Sequence, residues 1–124
     1  MQNSPYQEMH NPPYDFLPMP YEFLTPDFLK DPIMMRLVVW MFNRLSLYPK
    51  TVAIKGMSKA IDLDPFEFIF RREISALDAG ISPKNAYTRM KQLIGLGYIK
   101  KVASKTSSTY SVFALETKAF RQND

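Results

Sequence analysis

Gly80-Ile81-Ser82-Pro83 separates two stretches with helical spacing, and this break constrains the chain more than any other feature. The stretch before it predicts a short helix with Ile74 and Leu77 on one face. Gly80 suits the end of that helix, because glycine takes the left-handed conformation at little cost. Ser82 is a good N-cap, and Pro83 suits the first helical position, where its missing N–H is not needed. The second helix is expected from Pro83 to about Leu96, stopping before Gly97. At helical spacing Ala86, Met90, Leu93 and Gly97 share one narrow face, flanked by Ile94 and Leu96. Lys84, Thr88 and Lys91 lie opposite, with Asn85, Tyr87, Arg89 and Gln92 at the sides. Two helices joined by a short glycine-containing turn are the pattern of a helix-turn-helix. The outward face carries the cations, amides and hydroxyls that contact phosphates and base edges.

The residues after the second helix complete a larger unit. Tyr98 to Val102 predicts a strand, Ala103 to Ser108 a polar turn containing Lys105, and Thr109 to Leu115 a return strand. A helix-turn-helix leading into such a hairpin is a winged helix. Residues 64–115 resemble the winged-helix domain at the N-terminus of DnaD-type primosomal proteins and phage replisome organisers. Three pieces carry the resemblance: Asp64-Pro65-Phe66-Glu67-Phe68-Ile69-Phe70 before the first helix, Gly80-Ile81-Ser82 in the turn, and Leu93 with Leu96-Gly97-Tyr98-Ile99 leading into the wing. The sequence departs from that family at Phe66, where those proteins usually carry glycine, and by lacking a second DnaD-type domain. The resemblance implies a role in replication initiation or primosome loading, with a helicase or initiator protein as partner.

Charge has the same map. The net charge is +4, yet residues 71–105 hold eight cations (Arg71, Arg72, Lys84, Arg89, Lys91, Lys100, Lys101, Lys105) against Glu73 and Asp78. Residues 1–31 hold only Lys30 against Glu8, Asp15, Glu22, Asp27 and Asp31. The basic excess therefore falls on the two-helix unit and its hairpin, as a nucleic-acid footprint should.

Upstream, residues 1–24 predict an extended arm. Pro5, Pro12, Pro13, Pro18 and Pro20 exclude regular helix, yet Tyr6, Tyr14, Phe16, Leu17, Met19, Tyr21, Phe23 and Leu24 are large and apolar. Either the arm is a mobile tail, or about residues 14–24 pack on this chain's domain or a partner's. Asp31-Pro32 predicts a helix start, with Asp31 as N-cap, and the helix is expected to reach about Leu47. Met34, Leu37, Val38, Met41 and Leu45 form its stripe, while Ile33, Val39, Trp40 and Phe42 lie off it. A helix apolar on nearly all faces needs covering by the arm or by a second subunit. A homodimer is therefore expected, with Trp40 as anchor and Phe16, Leu17, Tyr21 and Phe23 contributing. Thr51–Lys55 and Lys59–Leu63 predict a hairpin, and Glu67–Phe70 a short strand pairing with the wing.

The chemistry of catalysis is not visible. His10 is the one histidine and lies in the arm, there is no cysteine, and no phosphate loop or Ser/His/Asp set occurs. Asp62, Asp64 and Glu67 read as turn and strand residues rather than metal ligands. No catalytic residue, metal or cofactor is expected. No apolar run approaches the ~20 residues of a membrane span, and no leader sequence opens the chain, so the cytoplasm is the expected compartment (the nucleoid in a bacterium).

The expected fold is α+β: a winged helix-turn-helix over residues 25–116 with an N-terminal helix and an extra β-hairpin, a Pro-rich arm over 1–24, and a frayed tail over 117–124. The expected function is double-stranded DNA binding. Lys84, Asn85, Tyr87, Thr88 and Arg89 would enter the major groove, with Lys91 nearer the backbone. Arg71, Arg72, Lys100, Lys101 and Lys105 would hold phosphates. Tyr87 would either contact DNA or cover the helix flank. A transcription regulator would use the same mechanics. The competing class is a winged helix devoted to protein contacts, since exposed lysines on a helix are often only solvated.

Overall fold

The computed structural model describes residues 23, 25–54 and 56–116. The arm before Phe23, with His10, Phe16, Leu17 and Tyr21, and the tail over 117–124 lie outside the described residues. The elements run α1 (Pro26–Leu29), α2 (Pro32–Arg44), β1 (Lys50–Ala53), β2 (Ala60–Leu63), β3 (Glu67–Phe70), α3 (Arg72–Ala79), α4 (Pro83–Gly95), β4 (Ile99–Lys101) and β5 (Ser111–Leu115). A 3-10 turn over Ala103–Lys105 interrupts the β4–β5 connection. The fold is α+β, with four helices and two small antiparallel sheets. Among the described residues no helix is long and apolar enough to cross a membrane.

Local chemistry sets the helix ends. The Asp31 carboxylate accepts from the Met34 N–H, and Pro32 opens α2. The Ser82 hydroxyl accepts from the Asn85 N–H, and Pro83 opens α4. Gly80 closes α3 at φ 78°, and Gly97 comes just after α4 at φ 83°. One end differs from expectation: α2 stops at Arg44 rather than Leu47. Leu45 turns extended (ψ 139°), and Ser46 gives its backbone to the start of β3. Its N–H donates to the Glu67 carbonyl (2.9 Å), and its carbonyl accepts from the Phe66 N–H (2.6 Å). Those bonds are non-local, so helical periodicity carries no sign of them.

β5 is the central strand of a β3-β5-β4 sheet, with Phe68 opposite Phe113, Ile69 opposite Val112 and Lys101 opposite Phe113. Alternation gives this sheet two faces. Phe68, Phe70, Phe113 and Leu115 join the helical core with Leu37, Met41, Ala86, Met90 and Leu93. Val112 and Ile69 face the other way, into a second cluster with Ile54, Ile61 and Leu63 from the β1–β2 hairpin. The sheet is thus covered on both faces.

Phe66, just before β3, has φ 72°, the left-handed region that costs a side-chain-bearing residue about 1–2 kcal/mol. Its backbone is held from both sides: the N–H by Ser46, and the carbonyl by the Leu115 N–H (2.9 Å). Its ring packs on the helical core.

Part of the apolar surplus of α2 is covered within the chain, while Val39 stays 47% exposed. Trp40 is buried against Phe68 and Phe70, and Phe23 lies fully buried against Phe28, Phe42 and Tyr98 (centroids 5.3, 5.6 and 4.9 Å). The core therefore reaches back past the domain start expected at residue 25. Phe23→Ala is expected to lower stability by about 3–5 kcal/mol in urea denaturation. A loss under ~1 kcal/mol would show that Phe23 only rests on the surface.

Candidate nucleic-acid interface

α3 and α4 are joined by residues 80–82 and pack on each other. Ala86, Met90 and Leu93 bury one side of α4 in the core. Lys84, Tyr87, Thr88 and Lys91 recur at i, i+3, i+4 and i+7, and all four are exposed. Beside them α3 begins with exposed Arg72. The Arg72 guanidinium lies 5.0 Å and the Lys91 ammonium 5.2 Å from the Tyr87 ring centroid, both within cation–π range. Across a groove of about 330 Å³ stand Lys101, 5.9 Å from the Phe113 ring, and the hydroxyls of Ser107, Ser108 and Thr109. Cations and hydroxyls around a groove with an aromatic floor are the groups that hold a sugar–phosphate backbone.

Not every expected residue joins this surface. Arg89 points to the other flank of α4. Its Nε and Nη2 donate to the two Asp31 oxygens (both 3.2 Å), and its Nη1 donates to the Asn85 amide oxygen (3.0 Å). Arg89 and Asn85 are thereby tied into the fold. Lys105 donates to Glu67 (2.7 Å) and to Asp64 (3.4 Å), pinning the β4–β5 connection to the start of β3. Lys100 is exposed but, by alternation, projects from the sheet face opposite Lys101. Arg71 is half-buried, and its backbone N–H donates to the Ser75 hydroxyl (2.8 Å). Asp62 accepts from Thr51 (2.7 Å), whereas Asp64 and Glu67 share the Lys105 ammonium.

At the expected subunit interface, the Trp40 indole N–H donates to Asp78 (3.0 Å), which also takes Arg44. Trp40 and Phe23 are both buried in their own chain. Conversely, Ile74 and Leu77 point outward, at 53% and 81% exposure, while Ser75 and Ala76 face the core. The helix faces its small residues inward because it packs closely on α2 and α4.

Three titrations reflect this geometry. Burial pushes the Asp31 carboxyl up, but the Arg89 hydrogen bonds, the Met34 N–H and the Arg89 charge outweigh it and hold it below the usual carboxylate range. The Trp40 indole hydrogen bond, opposed by burial and aided by Arg44, holds Asp78 low. The Glu67 hydrogen bond, opposed by burial and aided by the Glu67 and Asp64 charges, raises Lys105. The Asp31–Arg89 tie joins residues 58 apart in sequence, and Asp31 is visible in the sequence only as a cap.

Compared with models of known families, with curated proteins and with solved structures, the chain matches none.

Asp31 has a depressed folded pKa, so its contribution is present above the unfolded pKa and lost as pH falls through the folded one. Arg89→Gln is therefore expected to cost about 1–2 kcal/mol at neutral pH, and progressively less as pH falls through the folded pKa of Asp31. Urea denaturation over an acid pH series checks this. A cost that does not change with pH would contradict the ion pair.

Proposed function

We propose that the chain is a winged-helix protein that binds double-stranded DNA. The observation that carries the reading is the exposed stripe of Lys84, Tyr87, Thr88 and Lys91 on α4, flanked by Arg72 and Lys101 across a groove. The order α2, β3, α3, α4, β4, β5, with β5 between β3 and β4, is compatible with a winged helix. In this reading α4 enters the major groove. Thr88 and Tyr87 meet base edges, and Lys84, Lys91, Arg72 and Lys101 hold phosphates. Arg89, Asn85 and Lys105 position these groups from behind and do not touch DNA. The resemblance of residues 64–115 to DnaD-type and replisome-organiser domains supports a role in replication initiation. A transcription regulator would bind in the same way, and co-purification of a replicative helicase separates the two. Exposed Ile74 and Leu77 favour a second reading, a winged helix that docks a protein.

Four phosphate contacts imply that log K falls against log salt with a slope of about −4, and each of Lys84→Ala and Lys91→Ala should flatten it by about 0.9. Fluorescence anisotropy with a labelled duplex measures this. A flat response to salt, or no binding at low salt, would overturn the DNA reading in favour of the protein-docking one.

Thr88→Ala is expected to relax preference at one base pair by about 1–3 kcal/mol. Lys105→Ala should leave the salt slope unchanged, because that ammonium is engaged by Glu67 and Asp64. Selection of duplexes from a random pool tests the first, and the anisotropy titration the second. A slope flattened by Lys105→Ala would put the β4–β5 connection on the DNA.

A further inference from the structure

Arg72 opens α3, Lys91 stands on α4 and Lys101 ends β4, and all three line the groove of about 330 Å³ between α4 and the β4–β5 hairpin. Among the described residues no carboxylate lies within ion-pair distance of any of them. Each lies over an aromatic ring instead. The Arg72 and Lys91 charges are 5.0 and 5.2 Å from the Tyr87 centroid, and the Lys101 ammonium is 5.9 Å from that of Phe113.

Phosphate contact alone does not need such a groove. The phosphates of a duplex are met at an exposed surface by cations and hydroxyls, and α4 offers Lys84 and Thr88 for that. Here the walls are apolar. Tyr87 is 48% exposed and Ile94, about two turns further along α4, is 39% exposed. Buried Met90 and Phe113 close the groove from the core side. Its volume is at the low end of small-molecule sites, which run from about 300 to 1,000 Å³, so it has room for a nucleoside as well as a phosphate. Paired bases cannot enter, because their faces are stacked and their edges engaged within the duplex. An unpaired base has both free. Stacking of a base on an aromatic ring outweighs an exposed cation–π contact, so Tyr87 exchanges Lys91 for a base and Lys91 turns to the phosphate. On the hairpin side the Ser107 and Thr109 hydroxyls hold each other (3.1 Å), and exposed Ser108 between them supplies a donor and acceptor for a base edge. Tyr87 and Lys91 belong both to this groove and to the outward stripe of α4, so a strand leaving a duplex held by α4 meets the groove directly.

We propose that the groove between α4 and the β4–β5 hairpin takes one unpaired nucleotide of a DNA strand where that strand leaves a duplex. The base stacks on Tyr87 against Ile94, and Arg72, Lys91 and Lys101 hold the flanking phosphates. The ligand is then a junction of duplex and single strand rather than an uninterrupted duplex. This assignment rests on the DNA reading above.

Fluorescence anisotropy of the full chain at fixed salt tests it, with a blunt duplex and the same duplex bearing a short unpaired tail, at the 3′ or the 5′ end in turn. One polarity of tail is expected to tighten binding about tenfold. A tail of abasic residues, which keeps the phosphates and lacks the bases, should give no such gain. Ile94→Ala, at an exposed position, should remove most of the gain and leave the affinity for the blunt duplex unchanged. Equal affinity for blunt and tailed duplexes, or an equal gain from the abasic tail, overturns this site and leaves the DNA reading standing. A gain that survives Ile94→Ala puts the tail elsewhere and also overturns it. Binding of neither probe overturns both readings. Micromolar binding of free adenosine monophosphate, with no gain from any tail, would make the groove a free-nucleotide site and overturn the assignment as well.

Discussion

Arg89 reaches from α4 across to Asp31, and that contact divides the cations of this protein into two sets. Asp31 already caps α2 through the Met34 N–H, so one carboxylate fixes both the start of α2 and the rotation of α4. With Ala86, Met90 and Leu93 buried and Arg89 held on one flank, the stripe of Lys84, Tyr87, Thr88 and Lys91 has one direction left, outward. Lys105 does the same for the β4–β5 connection through Glu67 and Asp64. The cations that hold the fold are thus distinct from those left for a partner. Net charge alone does not make that distinction.

Burial of both faces of the β3-β5-β4 sheet explains how a short chain supports this arrangement. Phe68, Phe70 and Phe113 pack against the helices, and Val112 and Ile69 against the β1–β2 hairpin. The hairpin supplies the cover that sheets of this size need for stability. The strained Phe66 sits where the two layers meet, and its backbone is fixed from α2's end on one side and from β5 on the other. A residue in that conformation persists only where the surroundings over-determine it.

Local chemistry is legible in the sequence, and long-range chemistry is not. Ser82-Pro83, Asp31-Pro32 and Gly80 mark helix ends by their own side chains or their lack of one, so those boundaries can be read directly. The strands 67–70 and 111–115 declare themselves by β-branched and aromatic composition. The role of Arg89 does not, because its partner lies 58 residues away. Lys105 looks like a loop lysine for the same reason, its partners being 38 and 41 residues distant. Ile74 and Leu77 mislead in the other direction. Their spacing marks one face, but close packing of α3 puts Ser75 and Ala76 inside. The surplus apolar surface of α2 does need a cover. Phe23 supplies part of it from within the same chain, so the surplus is not by itself an argument for a dimer.

We propose that α4 presents one defined face to duplex DNA while its other flank stays locked to Asp31. Backbone and methyl NMR of the full chain, with and without a duplex, tests this residue by residue. Large shifts are expected at residues 84, 87, 88 and 91 and at 72 and 101 across the groove, with residues 31, 85 and 89 little changed. Shifts centred on Ile74 and Leu77 would contradict it.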